Sequence, residues 1–277
     1  MPSKPKRKRI FVGSDPHCGH MVGLTPPSYQ IKQSGRGHTQ AAKRRHKFAK
    51  IQDETWNKYI DLLAPLKPFD AQFWLGDIID GLGEKSKAGE LITADLPSQS
   101  EMFVECAEAV GAPHFIAVYG TAYHTTAGGQ DWEDHAVEML RDSCKKIDLG
   151  SHEWPDVNNC IFDMKHKIGS SSVPYGRLTA LEREKVWNDQ WAKRDWAPQS
   201  EIILRGHVHY FKYSGDREGL RVTMPALQGL GSKFGSRICS GTVDWGFLMF
   251  DVEPDGSWDM NYYTPDIESQ KARTIKV

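Results

Sequence analysis

The sequence predicts an α/β protein folded as a single domain over residues 1–277, and three observations lead there. The first half alternates short apolar, strand-like runs with helix-like periodicity. The last third shifts to short strands separated by turn residues. Five short clusters of Asp and His run through both parts, and each follows a predicted strand. A chain of 277 residues is within reach of one large domain, and 39% apolar residues are enough for a sizeable core.

Residues 1–8 are a basic lead-in, and residues 9–14 form a short apolar strand that runs into Asp15. Residues 19–40 are rich in Gly, Pro, Ser and Thr without a period, which reads as a loop insertion of the length usually reserved for function. From residue 39 to about 66, Phe48, Ile51, Thr55, Tyr59, Leu62 and Leu66 recur at steps of three and four. That spacing predicts a helix, ended by Pro65 and Pro68. Residues 70–75 are the second strand, and residues 81–97 a second loop insertion. Ser98-x-x-Glu101 matches a capping box and predicts a helix starting at Ser98. Residues 114–119 are the third strand, 131–144 a helix, and 160–164 a strand leading to His166. A helix over 177–196 places Trp187 and Trp191 on one face. Strands at 202–204, 210–213, 221–224, 245–250 and 258–263 complete the chain.

A net charge of −1 argues against a dedicated non-specific nucleic-acid binder, although a local basic patch stays open. Five cysteines without a C-x-x-C pair read as free thiols in a reducing compartment. The apolar stretch after the basic start is too short for a signal peptide, and no window approaches a membrane span. A soluble, cytoplasmic protein with no membrane partner is expected.

The clusters are Asp15-Pro-His17, Gly76-Asp77-Ile-Ile-Asp80, Gly120-Thr121-Ala-Tyr-His124, His166, and Gly206-His207-Val-His209. Ligands placed where strands end in loops collect at one sheet edge. In an extended Asp-x-His, both side chains point to one side. Gly76 permits a sharp turn before Asp77, whose carboxylate can bridge two ions. Gly-His-x-His offers two imidazoles, one for each ion. Mixed carboxylate and imidazole ligands suit Mn, Fe, Zn or Co, with Mn favoured here, over Mg or Ca. Two such ions about 3.5–4 Å apart would turn a bridging water into a hydroxide and neutralise phosphate oxygens. A His beside the ions then serves the departing oxygen. Singly, each cluster has a bland reading as a turn, a surface pair or a structural His. Their order, glycines and strand contexts together point to a shared metal site.

This set resembles the calcineurin-like metallophosphoesterase superfamily over Asp15 to His209. The resemblance implies an α/β/β/α sandwich of two sheets with a binuclear metal centre. Carried over, Asp15, His17 and His209 would hold one ion, His166 and His207 the other, and Asp77 would bridge. The third motif departs from the family's Gly-Asn-His form. Thr121 stands at the Asn position, where a hydroxyl is a poorer ligand than an amide, and His124, the leaving-group candidate, arrives two residues late. The looser Gly-Thr-x-x-His form is similar to members from bacteriophage and prophage genomes, which implies a bacterial host cell. The family's protein phosphatases carry Arg after the second Asp, where this chain has Gly81. That favours a phosphodiesterase or nuclease, with nucleic acid or a nucleotide among the candidate substrates. Asp80 is then read as orienting a ligand or a neighbouring loop.

Arg177, in the loop after His166, is the candidate phosphate contact, and His20 either faces substrate or is an exposed loop residue. Cys18 is read as a non-ligand, since neighbours in an extended loop point apart. Lys43, Arg44, Arg45, Lys47 and Lys50 read as a solvated helix face. His38, His46, His114, His135 and His152 read as structural or surface residues. A phosphomonoesterase, or a scaffold that keeps the fold without the chemistry, are the rival functions. Oligomeric state has no signature in the sequence.

Overall fold

Two β-sheets lie face to face, with helices on both outer surfaces. The computed structural model describes residues 6–32, 39–171, 173–230, 241–271 and 274. Residues 1–5 of the basic lead-in, His38, Cys239 and part of the 19–40 loop lie outside them.

In chain order the elements are β1 (Lys8–Gly13), α1 (Gln40–Leu63), β2 (Ala71–Trp74), α2 (Leu96–Val110), β3 (His114–Val118) and α3 (Ala122–Thr125). They continue with β4 (Thr126–Ala127), β5 (Gln130–Asp131), α4 (Trp132–Met139), β6 (Lys146–Gly150), β7 (Asp156–Val157) and β8 (Cys160–Lys165). The last are α5 (Arg177–Ala192), β9 (Ile202–Arg205), β10 (Lys212–Asp216), β11 (Gly219–Thr223), β12 (Phe247–Val252) and β13 (Trp258–Tyr263).

One sheet has the order β13-β12-β1-β2-β3-β6, with β1, β2, β3 and β6 parallel. The other has the order β10-β11-β9-β8-β7, with β11, β9 and β8 parallel. Strand alternation sorts the side chains between two cores. Ile10, Val12, Phe73 and Leu75 meet Phe162, Met164, Ile202 and Leu204 between the sheets. Phe11, Trp74 and Phe115 point the other way, onto Tyr59 of α1 and Phe103 of α2. The predicted α/β/β/α sandwich is therefore the observed fold.

The outer helix of the second sheet packs unusually. The buried residues of α5 include Glu184, Lys185 and Asn188 as well as Ala180 and Leu181. Arg205, fully buried on β9, pairs with Asp163 at 2.6 Å and with Glu184 at 2.8 Å. Trp187 is exposed on α5.

Other boundaries moved for identifiable reasons. Helix α2 starts at Leu96, because the Asp95 carboxylate accepts the Ser98 amide and Pro97 suits a first turn. Ser98 is therefore inside the helix, and Glu101 instead accepts the Tyr29 hydroxyl. Strand β6 went unpredicted because its side chains are all at least partly exposed and charged residues interrupt it, as befits a sheet edge.

Candidate metal centre

The strands β1, β2, β3, β8 and β9 all deliver their C-terminal ends to one edge of the sandwich. Asp15 and His17 follow β1, Asp77 follows β2, Thr121 follows β3, His166 follows β8, and His207 and His209 follow β9. The backbone there is not extended. Asp15, His17, Asp77, His207 and His209 have φ of 49°, 44°, 49°, 72° and 56°. Left-handed backbone costs a non-glycine residue roughly 1–2 kcal/mol. Five such residues at one edge mark a site whose geometry the surrounding structure enforces. The expected extended Asp-x-His is thus corrected: two left-handed turns, not pleat alternation, bring Asp15 and His17 together. Backbone bonds from Asp15 N to Gly76 O at 3.2 Å and from His17 N to Asp77 O at 3.0 Å hold the two loops side by side.

All six predicted ligands converge. Their ligand atoms form the groups Asp15, His17 and His209, and Asp77, His166 and His207, each within 4.8 Å. A further group, His17, Asp77 and His124, joins them. His209 Nε2 is 3.0 Å from Asp15 Oδ1, and His166 Nε2 is 3.1 Å from Asp77 Oδ2. His17 Nε2 stands 3.8 Å from both Asp15 Oδ1 and Asp77 Oδ2, buried and without a hydrogen-bond partner. An orphaned buried ring nitrogen between two carboxylates fits a cation held by all three. The other ring nitrogens are committed: His17 Nδ1 donates to Asp80 at 2.9 Å and His166 Nδ1 to the Leu75 carbonyl at 2.5 Å. These bonds keep a proton on Nδ1, so that once a cation displaces the Nε2 proton the Nε2 lone pair faces it, the tautomer that a metal ligand needs.

The titration directions agree with a dense charge cluster. Burial would raise the Asp77 pKa, but His166 and His17 bring it down to about 2. Burial would lower the His166 pKa, but Asp77 and Asp15 raise it to about 9. Asp15 is likewise held well below its usual range by His209 and His17, against burial. In the absence of cations, protons on His17 and His166 balance the carboxylates.

The third motif closes the site in a form its spacing did not foretell. The Thr121 hydroxyl lies 3.2 Å from His166 Nε2, 3.3 Å from His207 Nδ1 and 3.4 Å from Asp77 Oδ2. It therefore stands among the Asp77, His166 and His207 ligand atoms. His124 arrives through the short helix α3, with its ring centroid 4.6 Å from that of His17. Its Nδ1 donates to the Asp80 carbonyl at 3.1 Å and lies 3.5 Å from Asp80 Oδ1. Burial, reinforced by His17, lowers the His124 pKa to about 4.

A cavity of about 440 Å³ opens over these residues, with His17, Asp77, Asp80, His124, His207 and His209 in its lining. Arg177 lines it too, almost fully buried. Its guanidinium lies 4.3 Å over the Tyr210 ring, and Nη1 donates to Thr242 at 3.0 Å. His20 also lines the cavity; it is buried rather than exposed, with Nδ1 accepting the Val22 amide. Residues 126–131 form the β4–β5 hairpin. Cys18 turns away, its thiol bonded to the Leu24 carbonyl. His114 pairs with Asp148 and His152 with Asp163, both structural contacts.

Sequence reading missed four groups. Ser14 donates to Asp15, and Gln99 accepts the amides of Asp80 and Gly81. Tyr210 carries Arg177, and Glu133 accepts two backbone amides beside the site. Tyr210 sits directly beside His209, yet an aromatic next to a ligand carries no signal of its own. Glu133 has only a helix-start context.

Fold and site together define an α/β sandwich of two sheets with an acid–imidazole cluster at one edge able to hold a divalent metal ion. No protein-family model matches the chain, and no curated protein matches its sequence. Solved structures similar in chain course include Vps29 from Entamoeba histolytica complexed with Zn²⁺, at 13% identity and TM-score 0.43 over 92% of this chain and 98% of that one. An archaeal phosphodiesterase aligns at 12% identity and TM-score 0.45, over 92% of this chain and 99% of that one. A predicted phosphoesterase from Streptococcus pneumoniae aligns at 12% identity and TM-score 0.40, over 93% and 90%. No helix among the described residues is long and apolar enough to cross a membrane.

Proposed function

We propose that this protein is a calcineurin-like metallophosphoesterase that hydrolyses a phosphodiester with two divalent cations, Mn²⁺ favoured. The observation that carries this reading is the division of the ligands into two groups, with Asp77 drawn into contact with both His17 and His166. Asp15, His17 and His209 would hold one cation, and His166 and His207 the other, with Asp77 between them and Thr121 beside the second. Bound cations of this kind lower the pKa of water and offset charge on phosphoryl oxygens.

The chain's own residues do the rest. Ser14 and Asp80 orient Asp15 and His17. Arg177, propped by Tyr210 and Thr242, offers its guanidinium to a phosphoryl oxygen. His124 is neutral at neutral pH, and its committed Nδ1–H leaves a lone pair on Nε2. It would take a proton there from solvent water and pass it to the departing oxygen, while the attacking water's proton returns to solvent, so that one water is consumed in all. His20 shapes the wall near Asp80 and Glu90.

A glycine at position 81, in place of the phosphatase arginine, supports a diester over a phosphoprotein substrate. Glu84 and Glu90 line the same cavity and disfavour a long polyanion, which supports a small diester such as a nucleotide derivative over a nucleic acid. Turnover of bis-p-nitrophenyl phosphate with added Mn²⁺ tests the reading, with the monoester p-nitrophenyl phosphate run alongside. Equal hydrolysis by wild type and Asp77→Ala would sink it, and faster monoester turnover would move the assignment to a phosphomonoesterase.

A further inference from the structure

Glu133, on the first turn of α4, is buried and reaches both central loops of the site. Its Oε1 accepts the amide of Ile78 at 3.1 Å, and its Oε2 accepts the amide of Gly120 at 2.7 Å. These donors belong to the residue after Asp77 and the residue before Thr121. We propose that Glu133 is a positioning residue that sets Asp77 and Thr121 for cation binding, and this rests on the metallophosphoesterase reading above.

The two loops meet backbone to backbone. A Cβ at Gly76 would stand 2.6 Å from both the Gly120 Cα and N, and a Cβ at Gly120 would stand 2.1 Å from the Asp77 N. Such close packing leaves no room for a side chain at either glycine. The backbone flanking this contact is held from a third element: among the described residues Glu133 is the side chain outside the two loops that accepts backbone amides of both. The brace then acts through a short chain of contacts. With Gly120 fixed, the Thr121 amide donates to Asp77 Oδ1 at 2.5 Å, which aims Oδ2 at His166 and His17.

The residue type follows from the geometry. Two separate N–H donors need an oxygen on each arm of the fork, and only a carboxyl group has both. Glutamine would turn an NH₂ toward one of the two amides. A shorter aspartate holds one amide at most. The brace is itself held firmly, since Asp131 accepts the Glu133 amide at 3.0 Å and Ala136 and Val137 of the same helix are buried in the core beneath the first sheet.

The test compares wild type with Glu133→Gln, which keeps the volume, and Glu133→Asp. Mn²⁺ affinity and stoichiometry are read by calorimetry, and kcat and KM on bis-p-nitrophenyl phosphate, under conditions where circular dichroism shows both variants folded. Expected for Glu133→Gln is a loss of about 10–100-fold in Mn²⁺ affinity and a fall in kcat with KM little changed, with Glu133→Asp intermediate. A role in stability alone would lower the melting temperature and leave affinity in the folded protein at the wild-type value, and that result overturns the proposal. Amide hydrogen exchange at Ile78 and Gly120 is measured separately on the metal-free protein. Glu133→Gln should speed it at one or both positions, and exchange unchanged at both overturns the brace. If wild type neither binds Mn²⁺ nor hydrolyses the diester, the phosphoesterase reading fails on its own, and the exchange measurement still decides whether Glu133 braces the loops.

Discussion

Gly81 lies directly against the backbone of His124: a Cβ at position 81 would stand 2.0 Å from the His124 carbonyl oxygen. This one contact joins the two departures from the expected family pattern. The missing arginine after Asp80 and the late histidine of the third motif are two sides of one packing arrangement. The two extra residues carry α3 over position 81, and a glycine is needed beneath it. Gly81 also has φ of +70°, which other residues adopt at a cost.

Gly81→Ala should therefore push His124 away from Asp80 and His17. Expected is a fall in kcat of roughly 100-fold or more on bis-p-nitrophenyl phosphate, the usual worth of a positioned proton-transfer group. Mn²⁺ stoichiometry by calorimetry should stay at the wild-type value, because the six acid and imidazole ligands are untouched.

The Thr121 hydroxyl, close to Asp77, His166 and His207, should contribute to holding one cation and not the other. Thr121→Val removes the oxygen at nearly constant volume and should weaken the second of two Mn²⁺ binding steps about tenfold or more. Thr121→Asn should restore that step or tighten it. Stepwise Mn²⁺ titration followed by electron paramagnetic resonance reads both.

Protons and cations compete for the same nitrogens. In the metal-free protein Asp77 and Asp15 overcome burial and keep His166 protonated up to about pH 9, against an ordinary 6.5. A cation at Nε2 displaces that proton. Apparent Mn²⁺ affinity should thus climb as pH rises from 6.5 to about 9, by roughly tenfold per pH unit for each proton displaced, and level off above. Without metal the sign is opposite. The His166 ion pair adds stability that is fully present below pH 6.5 and is lost as pH rises through about 9. Calorimetry in buffers of different ionisation enthalpy should register proton release at pH 7.5. Metal binding without proton release would contradict the assignment.

Beneath the second ligand group, Arg205 is buried between Asp163 and Glu184, one residue before Gly206-His207. Burial opposes ionisation of Asp163, but Arg205 and His152 bring its pKa down to about 2. Arg205→Met would strand two buried carboxylates and should cost about 3–5 kcal/mol in urea unfolding. In wild type the stability from this pair is present above pH 3.8 and lost as pH falls through about 2. Arg205→Met should lose this part of the acid dependence.

Much of the site was legible as residue types in order. Asp15, His17, Asp77, His166, His207 and His209 each carry chemistry in the side chain itself, and each sits where an apolar run stops. The α/β/β/α architecture was legible for a related reason, since apolar alternation reports burial. Glu133, Gln99 and Tyr210 were not legible. They act through backbone amides and ring faces supplied by distant segments, and nothing near them in the chain shows that need. Strand β6 and the true start of α2 were misread because an edge strand has little burial to report and because Asp95 outcompetes Ser98 as a cap.

By itself, then, the sequence determined which acid and imidazole side chains could gather and the layered fold, because side-chain type and apolar period are local properties. Only the tertiary structure decided how the third motif works. Whether Thr121 and His124 reach the cluster depends on a turn of helix riding over Gly81, on two glycine loops in backbone contact, and on the Glu133 carboxylate from α4. Those are relations between segments far apart in the chain, set by close packing, and no single stretch of residues contains them.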